Sequence, residues 1–298
     1  MIPSSFRTQL SQIFFQIMSR SRQRISPACK NQSGELKGTS LHKSDFVNFL
    51  VSNRYKTLFC YVPKVACGNW KRIFLVLNGH FNTTAEISGP MAHESGLIDT
   101  LDKYSVEEIR YKLLKYKKVV FVREPLERVL SAYRNKFTTM YNKRYHHRYG
   151  VEIIKKYRKN LTREITDEDQ VTFDEFVKYL IDLRPNRRDV HWELQHNLCF
   201  PCSVSYDFIG KYESLKLDAA RALEVMGASE RITFPDIGKN RKGKDTKTLM
   251  RQFYSQISVQ DFVRLQKIYE MDYNLFEYRK PTYSEVLSGS QPTLAKKL

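Results

Sequence analysis

A single lysine marks the first place in the chain where residue types and spacing could support chemistry. Lys64 follows the apolar run 58–62 and Pro63, and the residues at 66–68 are all small. An apolar run closed by proline is typical of a short buried strand, because proline cannot donate to a strand ladder. Small residues let the backbone approach a ligand closely, and the first amides of a following helix would point at one spot. The stretch therefore predicts a phosphate or sulfate site, although an ordinary strand–turn–helix with a surface lysine fits the same residues.

A second strand–turn–helix pattern begins with the apolar run 118–122 and carries an arginine. Arg123 ends the predicted strand, Pro125 suits the first turn of a helix, and Ser131 lies about two helical turns further on. An arginine fork and a hydroxyl together can hold a phosphate. Two such patterns in one chain indicate a ligand that carries anionic groups at two places, such as a nucleotide. A P-loop nucleotide kinase is disfavoured, because the chain lacks the Walker A pattern around Lys64.

Three motifs resemble those of the Golgi carbohydrate sulfotransferases, and in particular the branch of HNK-1 and chondroitin/dermatan 4-O-sulfotransferases. The resemblance runs from about Tyr55 to Tyr278, with the motifs in the order of that family. The first motif, residues 63–72, resembles a 5′-phosphosulfate loop, and its implied donor-binding residues are Pro63, Lys64, Val65, Ala66, Cys67, Gly68 and Asn69. The second motif, residues 123–134, resembles a 3′-phosphate loop, and its implied donor-binding residues are Arg123, Glu124, Pro125, Leu126, Glu127, Arg128, Val129, Leu130 and Ser131. The third comprises His191, Trp192, the Cys199–Cys202 pair and residues 206–213.

The resemblance implies a fold, a donor and a reaction. The fold is α/β, with a P-loop-like parallel sheet flanked by helices. The donor is 3′-phosphoadenosine 5′-phosphosulfate (PAPS), bound by the residues of the first two motifs, and Lys64 also assists the departure of the 5′-phosphate. The acceptor is the 4-O position of N-acetylgalactosamine in chondroitin/dermatan-type glycans. This scheme needs no metal.

Removal of the acceptor proton requires a base, and histidine is the first residue type to consider. His93 is the first candidate, because it lies between the two donor motifs, where related glycosaminoglycan sulfotransferases carry a catalytic histidine. Its neighbour Glu94 is a second option, and His191 of the third motif is the runner-up. Trp192 could stack on a sugar ring or pack in the core.

One residue departs from the family pattern. The loop that resembles the 5′-phosphosulfate site has Gly68 where the family usually has threonine. A hydroxyl donor to the 5′-phosphate is therefore missing. This departure supports a second hypothesis, in which the chain is a catalytically weak or inactive glycan-binding paralogue.

Charge points to polyanionic partners. The 298 residues include 50 lysines and arginines against 32 acidic residues, a formal net charge of +18. Such a field suits nucleic acid, an anionic membrane or an acidic polysaccharide. Charge alone does not choose among these partners, and no zinc-finger spacing or RNA-binding aromatic signature accompanies it. The resemblance to carbohydrate sulfotransferases implies an acidic glycosaminoglycan or a glycoprotein glycan as the partner, and not nucleic acid. The basic insertion at about 139–170 is either a solvated helical surface or a wall that binds this acceptor, and the second interpretation is favoured.

Composition and the resemblance together give the predicted domain limits. Residues 1–45 are predicted to be a disordered leader or stem, 46–280 the sulfotransferase domain, and 281–298 a loose tail. The apolar patch 13–18 is shorter than the roughly 20 residues that cross a bilayer. The resemblance implies an enzyme of the Golgi lumen, in a family whose members are usually type II membrane proteins. The short patch departs from that pattern, so the sequence leaves the anchoring of this chain open. Three N-glycosylation sequons, at Asn31, Asn82 and Asn160, agree with a lumenal glycoprotein.

The implied lumenal setting also guides the interpretation of the cysteines. The chain has five cysteines, and Cys199 and Cys202 form its C-x-x-C pair. A zinc site or a redox dithiol is possible from the pair alone. The resemblance favours a structural disulfide role, with the connectivity open. Cys67 is expected to be a small packing residue.

Local signals complete the predicted order of elements. Capping boxes at Ser105 and Thr172 open helices to about 115 and 183. Together, 58–138 is predicted to form a βαβ-type unit around a parallel sheet. A loop is expected over 186–205, a strand over 206–210, and helices over 215–226, 245–256 and 259–271. The basic loop 239–244 is a candidate lid.

Overall fold

The computed structural model describes residue 29 and residues 41–94, 96–138, 143–184, 187–235 and 245–289. The predicted lid at 239–244 therefore lies outside the described residues, as do nearly all of the predicted leader and the sequon at Asn31. Contacts between residues divide the chain into two compact units. Unit 1 comprises Met1–Arg123, Leu194–Ile237 and Asn274–Phe276, and unit 2 comprises Glu124–Glu193, Gly238–Tyr273 and Glu277–Leu298.

Unit 1 contains a four-stranded sheet in the order β1-β2-β3-β4. Its strands are β1 (Phe49–Ser52), β2 (Thr57–Cys60), β3 (Lys117–Val122) and β4 (Phe208–Lys211). β1 pairs antiparallel with β2, while β2–β3 and β3–β4 are parallel. Because parallel strands end at one edge, the residues that follow β2, β3 and β4 are brought together there.

The helices of the described residues are, in chain order, α1 (Cys67–Leu77), α2 (Gly89–Glu94), α3 (Val106–Lys115), α4 (Pro125–Phe137), α5 (Lys143–Tyr145), α6 (Val151–Tyr157), α7 (Phe173–Asp182), α8 (Gln195–Cys199), α9 (Leu215–Val225), α10 (Thr246–Tyr254), α11 (Val259–Ile268), α12 (Glu270–Leu275) and α13 (Tyr283–Ser288). A π-helical turn, His146–Gly150, joins α5 to α6. Short 3₁₀ turns occur at Lys43–Phe46, Thr84–Glu86, Leu101–Lys103 and Tyr212–Ser214.

An aromatic core holds α1 against the sheet in unit 1. Trp70 of α1 is fully buried and stacks on Phe59 of β2, with ring centroids 4.5 Å apart. It also contacts Phe121 of β3 at 4.9 Å. Gly210 of β4 pairs with Phe121, and a Cβ at Gly210 would lie only 2.4 Å from the phenyl ring. The core therefore requires glycine at this position.

Unit 2 is helical and has its own aromatic core. Trp192 is fully buried, and its ring contacts Phe137, Tyr149 and Phe176. The fully buried ring decides between the two interpretations of Trp192, because a tryptophan enclosed in this way packs in the core and cannot stack on a sugar.

The predicted fold class is confirmed, since the sheet is mostly parallel and helices flank it. The predicted strands, the capping boxes at Ser105 and Thr172, and the helix over 215–226 are also present. The loop predicted over 186–205 is wrong in part, and two further elements were not predicted. The antiparallel strand β1 was not anticipated, α8 lies within the predicted loop 186–205, and α13 lies within the predicted loose tail. Each of these elements is short, so its pattern is weak in the sequence.

Disulfides join the cysteine pair to other parts of unit 1. Cys199 bonds to Cys60 at the end of β2, and Cys202 bonds to Cys29. The structural role expected for the C-x-x-C pair is thus confirmed. Cys67 is the free cysteine among the described residues.

None of the described helices combines the length and the apolar character that crossing a bilayer requires.

Candidate functional site

The loop between β2 and α1 has the geometry of an anion site. Lys64 and Ala66 adopt left-handed backbone conformations, with φ of 73° and 55°. Non-glycine residues rarely adopt this conformation, and it tends to occur at functional sites. Within the described residues, the amides at 66–68 donate to no acceptor, while Val65 donates to the carbonyl of Val62. Free amides at the start of the 11-residue helix α1 favour a bound anion.

Asn69, the last residue of the predicted loop, has a structural partner. Its side-chain oxygen accepts a hydrogen bond from Arg72 at 2.9 Å, and Arg72 also donates to the carbonyl of Ile87 at 2.8 Å. Val65 and Pro63 are buried. In this loop the Lys64 side chain and the backbone amides are therefore the groups best able to meet a ligand.

Arg123 lies at the same strand edge as Lys64. It follows β3 directly, and its guanidinium Nη1 is 3.4 Å from the carbonyl oxygen of Lys64. The Arg123 guanidinium also lies 4.2 Å from the centre of the Tyr212 ring, a cation–π contact. The structure thus brings together the lysine and the arginine that the sequence placed in separate motifs.

Gln195 fixes the backbone of Arg123. Its side-chain oxygen accepts from the Arg123 amide at 2.9 Å, and its nitrogen donates to the Arg123 carbonyl at 2.8 Å. Gln195 begins α8, and the Cys60–Cys199 disulfide ties the end of this helix to β2. Sequence reasoning missed both Gln195 and Tyr212. Tyr212 lay inside the third motif, but neither residue carried a local signal for its contact with Arg123.

The remaining residues of the second motif belong to unit 2, where most serve as scaffold. Glu124 caps α4 by accepting from the Glu127 amide at 2.6 Å. Burial raises the pKa of Glu124 to about 7, although a hydrogen bond from Tyr273 opposes the shift. Arg128 is buried and donates to the carbonyls of Glu193 and Val190 at 2.6 and 3.0 Å.

The four apolar side chains of this motif are buried, namely those of Pro125, Leu126, Val129 and Leu130. Ser131 is partly exposed. Of the α4 residues in the motif, Ser131 is the hydroxyl-bearing one with access to solvent.

His93 lies beside the Lys64 loop in unit 1. It is an exposed residue of α2, and an apolar cluster that includes Leu75, Val76 and Ala92 packs this helix on α1. A Cβ built on Gly68 would lie 3.3 Å from His93 Nε2. His93 Nδ1 lies 3.5 Å from the Nζ atom of Lys71. The side chain of Glu94, the other candidate in this region, lies outside the described part.

Lys71 is held between His93 and an aromatic ring. Its ammonium lies 4.4 Å from the centre of the Tyr61 ring. Burial lowers the pKa of Lys71, while Cys67 acts in the opposite direction. Burial, with smaller contributions from Cys67 and Asp102, raises the pKa of Tyr61 to about 12, so its hydroxyl stays protonated. Lys71 is a further cation next to the loop. It lies inside the first motif, but the sequence predicted no role for it.

His191 lies in unit 2, in a different kind of environment. Its Nδ1 is 2.6 Å from an oxygen of Asp189 and 3.0 Å from the hydroxyl of Tyr145. Tyr149 donates to the same carboxylate at 3.1 Å. Burial acts to raise the pKa of Asp189, but the hydrogen bonds from His191 and Tyr149 and the charge of His191 outweigh it and lower this pKa to about 2. A permanent carboxylate thus faces the imidazole.

Several lysines and arginines of the basic insertion form ion pairs within the protein. Lys143 pairs with Asp167, Lys156 with Asp182, and Arg158 with both Glu175 and Asp169, all within unit 2. These acids come from outside the segment 141–160, in which the sequence shows Glu152 alone. The acceptor wall therefore stays a prediction, with several of its cations already paired.

No group of three or more His, Cys, Asp or Glu residues able to hold a metal ion occurs in the described ranges.

The chain is similar to known proteins over most of its length. Residues 47–279 match the profile of the Sulfotransferase family. The chain is 40% identical to carbohydrate sulfotransferase 11 of Mus musculus over 269 residues, 88% of this chain and 76% of that protein. It is 43% identical to carbohydrate sulfotransferase 14 of Danio rerio over 237 residues, 78% of this chain and 63% of the relative. With carbohydrate sulfotransferase 8 of Homo sapiens it shares 40% identity over 236 residues, 78% and 55% of the two chains. No solved structure matches the chain.

Proposed function

The chain belongs to the sulfotransferase family, and we propose that it transfers the sulfuryl group of PAPS to a hydroxyl of a glycan. Membership confirms the resemblance drawn from the three motifs. The donor and the acceptor are proposed on different grounds. The geometry of the Lys64 loop and Arg123 supports the donor, and the similarity to carbohydrate sulfotransferases supports the acceptor.

The main support for the proposal is that the turn with Lys64 and the turn with Arg123 lie close together. Lys64 and Arg123 follow adjacent parallel strands, and their backbone and side chain approach to 3.4 Å. The loop amides at 66–68 and the Lys64 ammonium would hold the 5′-phosphosulfate, and Arg123 would hold the 3′-phosphate. Two fixed anion contacts would set the position of the sulfur atom and select PAPS over nucleotides that lack a 3′-phosphate. The part of Ser131 stays a prediction from the motif.

In the proposed reaction the acceptor oxygen attacks sulfur in line with the leaving 5′-phosphate. A new O–S bond forms as the S–O bond to the phosphate breaks, and the products are a sulfate ester and adenosine 3′,5′-bisphosphate. Negative charge develops on the bridging oxygen and the 5′-phosphate. Donors that are already in place at that position, Lys64 and the loop amides, would lower the barrier.

The acceptor proton must pass to a base, for which the motifs nominated His93 and His191. His93 lies beside the proposed donor loop and is exposed, which favours it by position. The Nδ1 of His191 is engaged by the Asp189 carboxylate, so its neutral form carries the proton on Nδ1 and presents a basic Nε2. Position thus favours His93 as the base, and the tautomer with a basic Nε2 favours His191.

We propose an acidic acceptor of the chondroitin or dermatan type, sulfated at the 4-O position of N-acetylgalactosamine. The net charge of +18 supports a polyanionic acceptor. Two disulfides support an oxidising compartment, as the Golgi lumen proposed here would require.

The competing proposal is a glycan-binding paralogue without turnover, which rests on Gly68. The structure lends it little support, because the space at Gly68 adjoins His93 Nε2, so a polar group adjoins the position that the missing hydroxyl would occupy.

The deciding experiment incubates the purified full chain with ³⁵S-labelled PAPS and a panel of desulfated chondroitin, dermatan, heparosan and a neutral glycan. We expect labelled product with the first two acceptors, with the label at the 4-O position on disaccharide analysis. Binding of the bisphosphate product without transfer to any acceptor would favour the paralogue. Absence of both binding and transfer would overturn the proposed function.

A further inference from the structure

The environment of His93 assigns it a role that its sequence position does not. His93 lies between two residues of α1, with Nε2 towards Gly68 and Nδ1 towards Lys71. Gly68 belongs to the first turn of α1, where the loop amides are exposed to a ligand, and Lys71 lies one turn further along the same helix. The two nitrogens of one imidazole therefore face a proposed anion site and a cation.

The partner of Nδ1 determines where the imidazole proton resides. A lysine ammonium has three donors and no acceptor, so towards Lys71 the Nδ1 atom can act only as an acceptor. The neutral imidazole then carries its proton on Nε2. A protonated imidazole would place a second positive charge 3.5 Å from the Lys71 ammonium, which disfavours that form. Lys71 thus favours a neutral His93 with Nε2–H directed at the loop.

Two features hold Lys71 in this place. Its ammonium lies over the face of the Tyr61 ring at 4.4 Å, and the Tyr61 hydroxyl stays protonated, so the ring offers no competing charge. The α2 helix that carries His93 is packed on α1 through Ala92 and the cluster around Leu75 and Val76. Helix packing thus brings the backbones of Lys71 and His93 close together, and the Tyr61 ring gives the Lys71 ammonium a further contact.

We propose that Lys71 holds His93 as a neutral hydrogen-bond donor, whose Nε2–H binds an oxygen of the sulfuryl or 5′-phosphate group, and that His93 does not remove the acceptor proton. The inference rests on the proposed function, because it presumes an anionic donor at the Lys64 loop. Gly68 is part of the arrangement, since a side chain there would stand in the line of Nε2.

Substitutions of His93 separate a donor from a base. The amide nitrogen of glutamine reaches the place of imidazole Nε2 and donates, but it cannot accept a proton at neutral pH, whereas asparagine reaches only as far as Nδ1. We expect His93→Gln to keep kcat within about fivefold of wild type, and His93→Asn and His93→Ala to lose about 100-fold, the usual range for a lost transition-state donor. Equal losses for His93→Gln and His93→Ala would show that His93 is the base.

Substitutions of Lys71 test the positioning role. Lys71→Arg keeps a permanent donor, so we expect near wild-type kcat, while Lys71→Met should lower kcat about tenfold with little change in the KM for the glycan, as expected for a donor that acts mainly in the transition state. Lys115→Met, at an exposed site on α3, is the control and should change neither constant.

A spectroscopic measurement tests the tautomer without any turnover. In ¹⁵N spectra of the imidazole groups, with the His93→Gln variant to assign the signals, neutral His93 should show the Nε2–H form in wild type and in Lys71→Arg. A neutral His93 with its proton on Nδ1 would overturn the inference even if the enzyme is active. Conversely, wild-type protein that neither binds adenosine 3′,5′-bisphosphate nor transfers sulfate would overturn the proposed function and leave the tautomer result standing.

Discussion

His93 and His191 are the same side chain in two opposite electrostatic settings. The Nδ1 of His93 faces the ammonium of Lys71, and the Nδ1 of His191 faces the carboxylate of Asp189. A cation at Nδ1 favours a proton on Nε2, whereas a carboxylate at Nδ1 favours a basic Nε2. The comparison shows that the position of a histidine in a motif does not decide whether it can act as a base. The group that contacts Nδ1 decides whether Nε2 can accept a proton.

The two regions also differ in how firmly the imidazole is held. Asp189 receives hydrogen bonds from His191 and Tyr149, and its side chain is 8% exposed, against 22% for His191. His93 is exposed, and its contact with Lys71, at 3.5 Å, is longer. The first arrangement resembles the carboxylate–histidine pairs that support general bases, and the second lies beside the proposed anion site.

The largest effect should come from the donor loop, on which both assignments depend. We expect Lys64→Ala and Arg123→Ala each to lower kcat/KM by about 100- to 1,000-fold. Each variant loses a cation proposed to contact the donor, Lys64 at the 5′-phosphosulfate, where negative charge develops, and Arg123 at the 3′-phosphate. Sulfate transfer with labelled PAPS measures the loss, and thermal unfolding checks the fold. Exposed Lys115→Ala and Arg110→Ala are the matched controls. Full activity in both loop variants would remove the basis of the comparison.

The next effect tests the carboxylate side of the comparison. Asp189→Asn keeps the size of the side chain but removes the charge that favours Nδ1–H on His191, so we expect kcat to fall about 10- to 100-fold if His191 is the base. The pH–rate profile should also change in its acidic limb. Tyr149→Phe, which removes one hydrogen bond to the same carboxylate, should lose less than fivefold. An unchanged profile in Asp189→Asn would assign the pair a structural role.

A smaller effect tests the space beside His93. A Cβ at Gly68 would approach His93 Nε2 to 3.3 Å, so Gly68→Ala should displace the imidazole by a few tenths of an ångström and lower kcat about three- to tenfold. Gly89→Ala is the control, because a Cβ there meets no atom within 4 Å and lies at the start of the same helix as His93. A loss in Gly89→Ala equal to that in Gly68→Ala would assign the effect to the helix and not to the contact.

The smallest effect concerns stability. The pKa of Asp189 is lowered from its ordinary value of 3.8 to about 2 in the folded chain, so its ion contributes stability above about pH 4 that is lost as the pH falls through 2. After allowance for solvent screening, we expect Asp189→Asn to reduce the free energy of unfolding by about 1 kcal/mol at pH 7, with the difference shrinking towards pH 2. Urea titrations at several pH values measure this. A difference independent of pH would show that packing, not charge, is responsible.

Several elements were predictable because their signals are local. The strand before Lys64, the strand before Arg123 and the capping boxes at Ser105 and Thr172 depend on residues within a few positions of each other. Strand β1 and helix α8 were missed, since four or five residues carry too little periodicity to show their type. Helix α8 nevertheless matters to the site, because it supplies Gln195.

The basic insertion is the opposite case, because its local excess of positive charge is larger in the sequence than in the folded structure. Its excess of lysine and arginine is plain in the sequence, but Asp167 near its end and Glu175 and Asp182 of α7 neutralise part of it. Net charge is a property of composition, whereas available charge depends on which acids the fold brings near.

The sequence by itself determined the family, the α/β class and the two cationic turns, because motifs and periodicity are written in short spacings. Only the tertiary structure decided which cysteines pair, that Trp192 is buried, and which group faces the Nδ1 of each histidine. The Cys60–Cys199 bond spans 139 positions and the Gln195–Arg123 contact spans 72. Such partners depend on packing between distant elements, and no local pattern records them.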